Sequence, residues 1–234
     1  MNLVSLQFVY LIFVLMFFPA WMALFIFQRD VRKELLVVGV FNAVAGFFLE
    51  WFVWTKDWVH SLTLTHTPAG IEDVLLGFFL AGISTGLFET LSRLRGRKAT
   101  LYKEGYAVYI KILIGETICL FSALAICRFV PLGHSFYASA LAITLLLTVF
   151  FCIRRDLMLD SLLTGFGVSL ISIPAYLMTF YFNSQFSPSY WQWKNLSGYT
   201  FLGIPIEDII WFFLAGSFLG PLYEFWHDFY FGKR

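Results

Sequence analysis

Long apolar runs constrain this chain more than any other feature. Most are about 18 to 22 residues long, enough to cross a hydrocarbon core of roughly 30 Å. A backbone surrounded by lipid has no water to bond its N–H and C=O groups, so such runs form helices. The pattern predicts seven spans, at residues 4–27, 34–55, 72–92, 106–127, 135–153, 159–182 and 206–229. Pro19 and Pro174 fall inside the first and sixth, where kinks are expected. The fold class is therefore an all-α membrane protein formed as one domain over residues 1–234. Composition agrees: 59% of residues are hydrophobic and 13% are charged, against roughly a quarter charged in a soluble domain. The first run lacks a preceding basic region and is read as a retained helix rather than a cleaved signal. A net charge of +1 argues against a nucleic-acid partner. Cys119, Cys127 and Cys152 lie in apolar runs with no metal-ligand spacing.

The basic residues orient the spans. Twelve of the 16 lysines and arginines fall in alternate connections, on one side of the membrane. They are Arg29, Arg32 and Lys33, then Arg93, Arg95, Arg97, Lys98 and Lys103, then Arg154 and Arg155, then Lys233 and Arg234. Lys56, Arg128 and Lys194 face the other side, and Lys111 lies within the fourth span. The positive-inside rule places the N-terminus outside and the C-terminus in the cytoplasm.

An internal repeat divides the chain. Residues 68–89 read PAGIEDVLLGFFLAGISTGLFE, and residues 203–224 read GIPIEDIIWFFLAGSFLGPLYE. Both carry IED, then FFLAG, then a terminal glutamate, and the two glutamates of each copy are 17 residues apart. FFLAG sits one residue earlier after the second IED. The reading is two parallel three-helix repeats, at about 1–95 and 130–234, joined by a linker helix at about 106–127. Both IED motifs then lie at one level, the outer one.

That placement gathers carboxyls. Glu72 and Asp73 open one motif helix, and Glu207 and Asp208 open the other. Acids at helix N-termini complement the dipole for about 0.3–1 kcal/mol, and Pro205 suits a helix start. One acid would suffice for that, whereas each motif has two. Glu50, late in the second span, adds a fifth acid at the same depth. An ionisable residue within a span costs about 2.5–3.5 kcal/mol on insertion scales and so points to function. Crowded carboxyls beside an apolar cavity can divide into an acid and a base. Glu116 in the fourth span is a weaker candidate. Glu89 and Glu224, about 25 Å along their helices from the motifs at 1.5 Å per residue, are expected to pair with nearby Arg or Lys. His60 and His66 precede the third span near the acids, while His134 and His227 read as interfacial. Trp and Tyr residues at 51–58 and 190–199 form an aromatic belt.

Pro205-Ile206-Glu207-Asp208, followed by Trp211-Phe212-Phe213 and closing on Tyr223-Glu224, resembles the membrane-integral lycopene cyclases, which carry P-x-E-(E/D) before a Phe-rich helix. These occur as a pair of small subunits in Gram-positive bacteria and as fused forms in archaea and fungi, so this chain, holding both copies, resembles the fused form. The first copy departs from the signature: Pro68 lies four residues before Glu72 instead of two. Asp replaces the commoner second Glu in both copies. Glu50-Trp51 resembles an acidic–aromatic pair in the family's second helix, and the corresponding place in the second copy is near Tyr176.

The resemblance implies ring closure at the ends of an acyclic, lycopene-like carotenoid, without net redox change. An acid protonates the terminal double bond, the ring closes on the cation, and a base removes a ring proton. It implies catalytic carboxyls among Glu72, Asp73, Glu207, Asp208 and Glu50. It implies substrate contacts at Pro205, Trp211, Phe212 and Phe213 and at their first-copy counterparts Phe78 and Phe79. Partners would be the carotenoid, the bilayer, and a second copy of the chain or other carotenoid-pathway enzymes. No G-x-G-x-x-G opens after a strand, so no flavin is expected, and no other cofactor or metal. Alternatives are a carotenoid- or isoprenoid-binding protein without catalysis, a cyclase for longer, fifty-carbon carotenoids, and a transporter of parallel repeats. A rhodopsin-type photoreceptor would need a lysine in the last span, and residues 206–230 contain none.

Overall fold

The computed structural model describes residues 3–96 and 134–225, with a few isolated positions between them. Most of the predicted linker helix, with Lys111 and Glu116, lies outside the described residues, as do Cys119, Cys127 and His227. The remaining six predicted spans are all present. Six helical stretches are long and apolar enough to cross a membrane: Leu6–Phe27, Arg29–Lys56, Ile71–Leu94, Ser135–Ile153, Arg155–Phe182 and Ile206–Phe225.

The first span is two helices, α1 (Leu6–Leu15) and α2 (Phe18–Phe27), broken just before Pro19. Proline sits in the first turn of α2, where its missing N–H costs no intrahelical bond. α3 (Arg32–Phe52) and α4 (Ile71–Leu94) complete the first half. The second half has α5 (Ser135–Ile153), α6 (Met158–Phe182), the short α7 (Phe186–Tyr190) and α8 (Ile206–Leu219). α6 runs unbroken through Pro174, where a kink is expected from sequence. α8 ends earlier than the 206–229 expectation, at a turn over Gly220–Pro221, before helix resumes at 222–225.

The two motif helices, α4 and α8, are the most enclosed spans and touch each other at the centre. α3 packs along α4, and α6 packs along α8, so each half contains one closely packed helix pair. Without a hydrophobic drive between helices in lipid, small residues must let backbones approach. Gly77 of α4 does so against α3: an added Cβ would strike the Asn42 carbonyl oxygen and lie 3.1 Å from the Ala43 Cα. Gly165 of α6 does so against α8, where a Cβ would strike Ser217 Oγ and the Phe213 carbonyl oxygen. Gly77→Val and Gly165→Val are each expected to destabilise by about 1–3 kcal/mol through overpacking. The check is the yield of monodisperse protein after detergent extraction. Unchanged yield would mean that these helices can separate without loss.

Two connections close the end of the bundle that carries the motifs. Val59 bridges Trp191, the His60 N–H donates to the Tyr190 carbonyl at 2.6 Å, and the Gln192 N–H donates to the Trp58 carbonyl at 2.9 Å. The Gln192 and Asn195 amides donate to the carbonyls of Val59 and Asp57 at 3.1 and 2.6 Å. A small hairpin, β1 (Thr200–Phe201) with β2 (Ile204–Pro205), turns through Leu202 and Gly203, both at positive φ, and delivers Pro205 to the start of α8. The first connection also crosses to the other half. Asp57 accepts the Ser135 N–H at 2.8 Å at the start of α5.

Candidate active site

The four motif acids sit in the first turns of α4 and α8, as the IED spacing requires, and all four are buried. Within each pair the two side chains do different things. Glu72 Oε1 accepts the Leu64 N–H at 2.8 Å, and Glu207 Oε1 accepts the Ser197 N–H at 2.6 Å. These glutamates each hold the connection that precedes their own helix, and the two copies repeat the arrangement. Neither lines a cavity described below.

The aspartates turn inward. Asp73 Oδ2 accepts the Gly70 N–H at 2.7 Å, capping α4, and its Oδ1 accepts the Tyr10 hydroxyl at 2.5 Å. Asp208 Oδ1 accepts Trp58 Nε1–H at 3.1 Å, and Oδ2 accepts the Tyr176 hydroxyl. Tyr176 of α6 thus gives a phenol to the motif acid of α8.

Glu50 joins the aspartates. The residue is 8% exposed, and its carboxyl has no hydrogen-bond partner among the described residues. Asp73 and Asp208 both lie within its electrostatic reach. A cavity opens between α3, α4, α5 and α8, with Glu50 and Asp73 in its wall. Its other walls are mostly apolar, including Leu49, Leu76, Leu80, Ile143, Phe218 and Leu219. Asn42 and Ser139 add isolated polar groups. From Glu50 to Asn42 along α3 is about 12 Å at 1.5 Å per residue, a depth suited to one end of a long hydrocarbon. A smaller cavity adjoins it and holds Glu50 and Asp208 among aromatic rings, including Phe13, Trp58, Tyr176, Tyr190 and Phe212. The two share Glu50, Trp54, Leu76 and Trp211. The rings are layered: Phe13 stacks on Tyr176 with centroids 4.4 Å apart, and Trp54 and Trp211 meet edge to face at 5.1 Å.

Of the substrate contacts expected from sequence, Trp211 and Phe212 reach these cavities. Phe78 and Phe79 pack instead around Trp21, with centroids at 5.1 and 6.1 Å. Phe213 packs against the core, and Pro205 shapes the start of α8. His60 and His66 are exposed. Residues that sequence reasoning did not select are Tyr10, Trp58, Tyr190, Trp54 and Asn42. Tyr10 is the one tyrosine in the first span, and a buried tyrosine tip needs a partner, which was the available signal.

At the opposite end of the spans, Glu34, Glu89 and Glu224 bring carboxylate oxygens within 4.8 Å of one another. Glu89 lies 3.7 Å from Arg93, as expected. Among the described residues, Glu224 has no basic partner of the kind expected. The turn at Gly220–Pro221 carries it toward Glu89 and Glu34 instead.

No curated protein and no solved structure matches the chain. A family model does match, over residues 134–226, and with it the half of the chain that holds Tyr176, Asp208 and Trp211 carries the sequence pattern of the lycopene cyclases.

Proposed function

We propose that this protein is a membrane carotenoid cyclase that closes β-ionone rings on the acyclic ends of a lycopene-like substrate. One observation carries the reading: Glu50 and Asp73 share the wall of a single apolar cavity, with Asp208 beside them among aromatic rings. The family match over residues 134–226 supports it. So does the membrane setting, since such a substrate is dissolved in lipid. The lysine and arginine distribution favours a motif end that faces outward. The paired packing of α3 on α4 and α6 on α8 favours two parallel repeats.

The three carboxyls have separate tasks. Hydrogen-bond donors aimed at a carboxyl favour its charged form. Asp73 and Asp208 each receive two such donors, and Glu50 receives none among the described residues. Glu50 is therefore the acid. Its proton adds to the terminal double bond, and the electron pair of that bond forms the new C–H bond. The neighbouring double bond attacks the resulting cation and closes the ring, leaving positive charge on a ring carbon. Asp73, on the same cavity wall, takes the adjacent ring proton, and the C–H electrons form the ring double bond. Asp208 supplies a fixed negative charge facing the cation. The aromatic rings around it add cation–π attraction, worth about 2 kcal/mol in a desolvated site. The laced connections over the motif end keep water from trapping the cation.

Expression in lycopene-producing bacteria is expected to convert lycopene to β-ring carotenoids, read by pigment chromatography. Unchanged lycopene would overturn the proposal.

A further inference from the structure

Cyclisation by protonation consumes one proton and releases another, at different carboxyls. On the mechanism proposed above, on which this inference rests, each turnover leaves Glu50 without its proton and Asp73 with an extra one. The site must carry a proton from Asp73 back to Glu50 before the next substrate reacts. Connections that exclude water from the cation also remove the simplest carrier.

Each of these carboxyls has a phenol near it: Tyr10 bonds Asp73, and Tyr190 shares a cavity wall with Glu50. The Tyr10 hydroxyl donates to Asp73 at 2.5 Å, and its ring stands against that of Tyr190. The two rings are tilted against each other with centroids 5.4 Å apart. Tyr190 in turn lines the smaller cavity with Glu50. Both are sealed, Tyr10 at 2% exposure and Tyr190 at 7%. Tyr190 has no duplicate: the connection at residues 53–70 in the first half contains no tyrosine. It belongs to the site and not to the repeat.

We propose that Tyr10 and Tyr190 return the proton from Asp73 to Glu50 inside the closed site, so that hydrogen taken from one ring is delivered to the next substrate. Protonated Asp73 gives its proton to the Tyr10 oxygen, the Tyr10 proton passes to Tyr190, and the Tyr190 proton passes to the Glu50 carboxylate. Three O–H bonds break and three form, and both phenols end neutral. Burial and the charges of Glu50, Asp208 and Asp73 push the Tyr190 phenol well above its ordinary range, so it holds its proton between transfers. In this step neither hydroxyl bonds to a reacting carbon. The tyrosines act through the carboxyls as positioning residues for the proton.

The test is cyclisation of lycopene in deuterated buffer, by membranes containing the full-length protein, with deuterium per new ring read by mass spectrometry. Exchange with bulk solvent would place one deuterium in essentially every ring. Internal return predicts that fewer than half of the wild-type rings carry it over many turnovers. Tyr190→Phe and Tyr10→Phe are expected to form rings more slowly, with nearly every ring deuterated. Loss of folded protein would lower the rate without changing deuterium per ring, so a structural effect is separable. Wild-type rings that are all deuterated would overturn the relay and leave the cyclase reading standing. Low deuterium in wild type and in both variants would remove the tyrosines from the path. Absence of any ring from wild type would overturn the cyclase reading itself.

Discussion

Glu50→Gln is expected to stop ring formation while the protein accumulates in the membrane at its normal level. Glutamine keeps the size and shape of the side chain and removes the proton that starts the reaction. General acid catalysis is typically worth about 10²–10⁴-fold. Protonating an unactivated alkene leaves little alternative route, so the loss should lie at the upper end. Stability should not fall. The Glu50 carboxyl has no hydrogen-bond partner to lose among the described residues, and the amide, like the protonated acid it replaces, places no charge within a span. Glu50→Asp, which withdraws the same acid by one methylene, should keep a small fraction of activity. Pigment chromatography beside an immunoblot of the membrane fraction separates the two effects. Wild-type ring yield from Glu50→Gln would place the acid elsewhere.

The second large effect is a contrast between neighbours. Asp73→Asn is expected to lower ring formation by about 10²-fold or more, because the ring proton loses its base. Glu72→Gln and Glu207→Gln should stay within a few-fold of wild type. Each amide keeps an oxygen to accept the Leu64 or Ser197 N–H, which is the contact these side chains make. Their alanine variants should do worse, since a freed N–H in a buried connection costs about 1–3 kcal/mol. Rates per unit of membrane protein decide the matter. If Glu207→Gln were as inactive as Asp73→Asn, the glutamates would be chemical participants and not latches.

The difference between Glu72 and Asp73 is also where sequence reading stops. Span length, span order and the shared level of the two IED motifs follow from apolar run lengths and a fixed rise per residue. Adjacent residues on a helix point about 100° apart, and which of them meets the cavity depends on how the helix is rotated. In a soluble helix an apolar stripe would report that rotation. α4 and α8 are apolar almost all round, so no stripe exists to read. The same limit hid the packing of Phe78 and Phe79 around Trp21, since FFLAG is alike in both copies while its surroundings differ. Tyr10 and Trp58 went unselected for another reason. Their partners, Asp73 and Asp208, lie 63 and 150 residues away, and no local pattern links residues at that separation. Glu50 was legible because an acid inside an apolar run is costly wherever it points.

The contacts made by Asp57 and Trp58 have a consequence for how such a gene can change. This connection belongs to the first half, yet it anchors the start of α5 and completes the hydrogen bonding of Asp208 in the second. The reverse debt is held by Tyr190, which lies in the second half and stands beside Tyr10 in the first. On the proposed two-repeat reading, each half thus depends on the other for part of its centre. A recombinant that joins the first half of this chain to the second half of a distant relative would inherit intact helices and a mismatched centre. The halves are heritable only as a matched set, and the crossover points that preserve activity should lie at the chain ends, not at the joint between the repeats.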